Sequence, residues 1–98
     1  MILVKVLKKK IEIKGHALYD DYGKDIVCSA VSSIVTTTVN GIISIDSDAI
    51  LYQVSDGRIV IKIKKDDNVT LKLIDNMLDL LKKLSIGYPN NIKIEEGV

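Results

Sequence analysis

Residues 11–35 read IEIKGHALYDDYGKDIVCSAVSSIV, and the spacing of the apolar residues changes once within them. Ile11-Glu12-Ile13-Lys14 alternates with a period of two, the pattern of a strand with one buried face. From Asp25 onward Ile26, Val27, Ala30, Val31, Ile34 and Val35 recur at helical spacing. Asp25 reads as the N-cap. Residues 36–38 and Asn40 weaken the helix, and Gly41 reads as its C-terminal stop. So many of these residues are β-branched that intrinsic propensity is poor, and tertiary packing must hold the helix. Between strand and helix, residues 15–24 form a polar loop closed by Gly23. It is long for so small a chain, as functional lids often are.

Outward from this stretch the remaining elements fall into place. Ile2, Val4 and Val6 alternate with Leu3, Lys5 and Leu7, giving a strand that pairs with residues 11–14 across Lys8, Lys9 and Lys10. Residues 42–48 read as a connection. Residues 49–54 and 59–63 flank Ser55-Asp56-Gly57-Arg58, whose Asp-Gly pair is a strong hairpin signal. A second helix begins near Asn68 and Val69, carries Ile74, Met77, Leu78, Leu81 and Leu84 on one face, and ends at Gly87 and Pro89. Residues 92–95 make a last strand. The order is ββαββαβ, an α+β fold with a small antiparallel or mixed sheet and two helices, in a single domain spanning residues 1–98.

Composition narrows the function. At 47% hydrophobic, the chain can build a core without metal or disulfide, and its one cysteine allows no intrachain bridge. A reducing, cytoplasmic compartment is expected. Residues 1–7 are too short for a signal peptide, and no later run reaches the roughly 20 apolar residues of a membrane span. The 14 basic and 13 acidic residues leave a net charge of +1, and Arg58 is the only arginine, so no direct nucleic-acid partner is expected. One histidine and one cysteine fall short of a zinc site. No phosphate-binding glycine motif is present, and no cofactor is expected.

The chemistry that remains is His16 with Cys28, at the two ends of one loop. If Asp25 caps the helix, Cys28 lies in its first turn, where free N–H groups and the helix dipole favour a thiolate and an oxyanion. His16 would then take the thiol proton and return it to the leaving amine. Asp20, Asp21 and Asp25 could orient it, Ser32 lies one turn beyond Cys28, and Leu18, Tyr19 and Tyr22 could line an apolar groove. The plainer readings are a packing cysteine on an apolar helix and a hydrogen-bonded surface histidine.

Gly15-His16-Ala17, a loop, and then Gly23-x-Asp25-Ile26-Val27-Cys28-x-Ala30-x-Ser32 resembles the signature of the ribosomal-processing cysteine protease family, Prp. The resemblance covers essentially the whole chain; Ser29 stands where the family often has alanine. It implies Cys28 as nucleophile and His16 as base. Gly15, Tyr22, Gly23, Asp25 and Ser32 are expected to bind substrate or support the site. It implies a ribosomal protein precursor as partner: the N-terminal extension of large-subunit ribosomal protein number 27, cut after an apolar segment with paired phenylalanines and before an alanine. It also implies a homodimer. The competing functions are a non-catalytic peptide-binding module that uses a sheet edge and a redox-sensing thiol.

Overall fold

A computed structural model describes residues 1–15 and 22–97, with residues 22–25 described by their backbone. Strands β1 (Ile2–Leu7) and β2 (Lys10–Lys14) precede helix α1 (Tyr22–Ile45). Strands β3 (Ile50–Ser55) and β4 (Arg58–Ile63), helix α2 (Asn68–Gly87) and β5 (Ile92–Glu96) follow. The order is the ββαββαβ expected from sequence. The five strands form one mixed sheet, β3-β4-β2-β1-β5, in which only the β1–β5 pair is parallel.

The register fixes the two faces. Val4 lies opposite Ile13, Val6 opposite Ile11, and Ile11 opposite Ile61. Val4, Ile11, Ile13 and Ile61 join Val27, Val31, Val35, Val39 and Ile42 of α1 and Ile74, Met77 and Leu81 of α2 in one buried cluster, with Val6 packed against it. Both helices therefore lie on the same side of the sheet. The other side carries Lys5, Lys10, Glu12, Lys14, Arg58 and Lys62. Helix α2 starts where its cap dictates: Asp67 accepts the Thr70 N–H at 2.9 Å and the Thr70 hydroxyl at 3.0 Å. It ends with the Tyr88 N–H on the Leu84 carbonyl, 2.9 Å away.

Helix α1 is longer at both ends than the sequence suggested. It begins at Tyr22, so Asp25 stands inside its first turn and not ahead of it, and residues 22–24 belong to the helix and not to the loop read over residues 15–24. It also runs through Gly41 to Ile45. Val39 and Ile42 continue the buried stripe across that glycine, and burying Ile42 offsets the roughly 1 kcal/mol that a helical glycine costs. The stop comes at Asp46, whose carboxylate accepts the Asp48 N–H at 3.0 Å and whose carbonyl accepts the Ala49 N–H at 3.1 Å. Residues 42–45 thus belong to the helix. The segment Ile26–Ile45 is also long and apolar enough, by length and composition, to cross a membrane. That departs from the expectation that no such run exists; in this fold its valine stripe serves the core.

Candidate active site

Four pieces of chain meet at one end of the sheet: the start of β1, the end of β2, the tip of the β3–β4 hairpin, and the second turn of α1. They enclose a pocket of about 180 Å³. Its apolar wall is Ile2, Ile13, Val31, Val54 and Ile59; Cys28 and Ser32 of α1 look into it, and Gly15, Ser55, Gly57 and Arg58 close its rim. Three residues singled out by the sequence, Gly15, Cys28 and Ser32, are therefore gathered around one cavity. The hairpin residues were not foreseen as part of it. Asp56-Gly57 announced a turn, but nothing local places that turn beside β2 and the cysteine.

Gly15 ends β2 in a conformation closed to other residues. Its φ is +91°, and its N–H donates to the Gly57 carbonyl at 3.0 Å. An added Cβ would stand 2.3 Å from the Met1 carbonyl oxygen. The chain is thus held firmly at the residue just before His16. His16 itself, with Ala17, Leu18, Tyr19, Asp20 and Asp21, lies outside the described residues. Of Tyr22, Gly23 and Asp25 the backbone is placed, in the first turn of α1.

Cys28 is a free thiol, half-buried, and packed against the core cluster. It is the seventh residue of α1, not the third. The free N–H groups of a helix are confined to its first four residues, and the dipole acts within the first turn. The expected support of the thiol and of an oxyanion by amides beside Cys28 is therefore corrected: those amides belong to residues 22–25, a turn away. Ser32 is exposed, one turn further along the same face. Among the described residues no group of three or more potential ligands could hold a metal ion.

Arg58 links this rim to the far side of the sheet. Its guanidinium donates to the Glu12 carboxylate, which Lys10 and Lys14 also approach at 3.5 Å. Glu12 is only 6% exposed. The Arg58 hydrogen bond, and then the charges of Arg58, Lys14 and Lys10, outweigh its burial and hold its carboxyl at about 2, down from 4.5. The folded state therefore binds this proton more weakly than the unfolded chain does. The resulting stabilisation is complete above pH 4.5 and is lost as pH falls from 4.5 toward 2. Asp46 and Asp67, also lowered, act in the same direction. Urea titrations of Glu12→Gln should show a flatter loss of stability across that window than those of the native chain. Parallel curves would exclude Glu12 as a contributor.

The family model for cysteine protease Prp matches residues 1–93. A ribosomal processing cysteine protease Prp from Mycoplasma genitalium is 31% identical over 98% of this chain and 96% of its own. A protein of the same name from Staphylococcus aureus is 34% identical over 82% of this chain and 78% of its own. The fold is shared with the crystal structure of an essential ribosomal processing protease Prp from S. aureus in complex with a covalently linked product peptide. That match has a TM-score of 0.82 at 24% identity and covers 98% of this chain and 97% of the other. A Streptococcus mutans protein gives 0.88 at 24% identity, covering 98% and 93%.

Proposed function

The chain belongs to the cysteine protease Prp family, and from that premise we propose that it removes the N-terminal extension of large-subunit ribosomal protein number 27. The single observation that carries the reading is the position of Cys28, which opens into an apolar pocket at the point where the chain leads into His16. An apolar cleavage segment needs such a wall beside its scissile bond. The S. aureus relative that was crystallised with a covalently linked product peptide is consistent with a thiol that forms a bond to the substrate.

In this reading His16 takes the proton from the Cys28 thiol, and the sulfur attacks the carbonyl carbon of the scissile peptide. The C–N bond breaks as His16 returns the proton to the leaving amine. Water, deprotonated by the same imidazole, then cleaves the thioester and releases the extension. No cofactor enters the scheme. We place the activity in the cytoplasm, in a single domain acting as a homodimer, with Tyr22, Gly23, Asp25 and Ser32 supporting the site.

Mass spectrometry of a peptide that spans the apolar, paired-phenylalanine segment and its following alanine tests the proposal. The expected product is cut just before the alanine, and His16→Ala should slow its formation at least about 100-fold. Intact peptide after incubation with folded protein would leave the non-catalytic peptide-binding module as the better account.

A further inference from the structure

The two edges of the sheet are unlike. Strand β5, IKIEE, closes one side with Lys93, Glu95 and Glu96. Strand β3, ILYQVS, closes the other with neither charge nor proline, and its Val54 is 63% exposed. Folded proteins usually defend an edge with charge, proline or a bulge, because its unpaired backbone groups are a template for another strand. Among the described residues, nothing pairs with the outer side of β3.

The register says which groups face outward. Ser55 and Arg58 close the two-residue Asp56-Gly57 turn and form the bonded pair of the hairpin. Bonded and non-bonded pairs then alternate, so the main-chain groups of Tyr52 and Val54 point away from β4. The edge runs directly into the pocket beside Cys28, because Val54 and Ser55 line both. At about 180 Å³ the pocket is close to the 150 Å³ apolar cavity that holds one benzene ring.

We propose that the substrate binds as a sixth strand along β3, extended, with one aromatic-sized apolar side chain in the pocket beside Cys28. Successive side chains of a strand point to opposite faces, so of two neighbouring substrate residues only one reaches the pocket. The inference rests on the protease reading above, which supplies Cys28 as the reacting atom; the docking mode itself can be read without cleavage.

The test uses Cys28→Ala and a fluorescent form of the same peptide, N-methylated in turn at four consecutive residues before the cut. Anisotropy should show affinity falling about tenfold at alternate positions, where an amide pairs with β3, and by no more than about threefold at the others. Equal effects at neighbouring positions would overturn the proposal. On the protein side, Val54→Pro removes an outward N–H at an edge position where proline is tolerated. It should weaken binding about tenfold with the unfolding midpoint within a few degrees of the native one, whereas Val54→Ala, which trims the same pocket wall but keeps the N–H, should weaken it by no more than about threefold. Equal losses in the two variants would count against strand pairing. If Val54→Pro instead dissociates a dimer in sedimentation and leaves peptide affinity unchanged, the edge belongs to a second copy of this chain and the proposal fails. Alternating affinities without cleavage by the native protein would retain the docking mode and overturn the protease reading.

Discussion

Gly15→Ala will destabilise the fold by about 3 kcal/mol or more, lowering Tm by roughly 12–24 °C in a domain of this size. Two effects add. The φ of +91° is strained for any residue with a side chain. The new methyl would also lie 2.3 Å from the Met1 carbonyl oxygen. That oxygen cannot simply swing aside, because it shares a peptide plane with the Ile2 N–H, which donates to the Asn91 carbonyl at 2.8 Å. Relief would require breaking either that bond, which seats β1 beside the turn before β5, or the Gly15 bond to Gly57. Gly41→Ala is the matched control: nothing lies within 4 Å of its added Cβ. In the middle of α1 it should stabilise by about 0.5–1 kcal/mol. Thermal unfolding followed by circular dichroism separates the two. A Gly15→Ala midpoint within a few degrees of the native one would show that the end of β2 is freer than its contacts indicate.

What could be read from sequence were features set by neighbours along the chain. Alternation in residues 11–14, the stripe through Ile74, Met77 and Leu81, and the Asp-Gly turn are each local, and each appears where expected. The limits of α1 were not legible, because its valines favour strands and Gly41 favours a stop. Both preferences are overridden by burial against residues far away in sequence. The same holds for the site. Cys28, Ser32 and Gly15 stand out by type, whereas Ile2, Val54 and Arg58 join them only because β4 inserts between β2 and β3. Placing Cys28 in the first turn followed from taking Asp25 as the cap; a start at Tyr22 moves the thiol a turn away from the helix end.

Cys28→Ala should abolish turnover while leaving the fold nearly intact, and the disparity between the two effects is the informative part. The side chain is half-buried at the margin of the core, not within it. Its truncation removes one sulfur's packing, and alanine's helix propensity offsets part of that loss, so stability should change by about 1 kcal/mol or less. Removing a covalent nucleophile costs far more, at least about 10³-fold in rate, or about 4 kcal/mol of transition-state stabilisation. Domains of this kind are stable by about 5–15 kcal/mol, so a loss of 1 kcal/mol still leaves almost every molecule folded. Partial unfolding therefore cannot imitate the expected loss of activity. Cys28→Ser should fail equally, since a hydroxyl without a strong base is a much weaker nucleophile than a thiol. Ser32→Ala, exposed at the rim of the same pocket, should keep turnover within about tenfold. If Cys28→Ala keeps measurable peptide cleavage while its unfolding midpoint drops sharply, the cysteine is a packing residue and the nucleophile lies elsewhere.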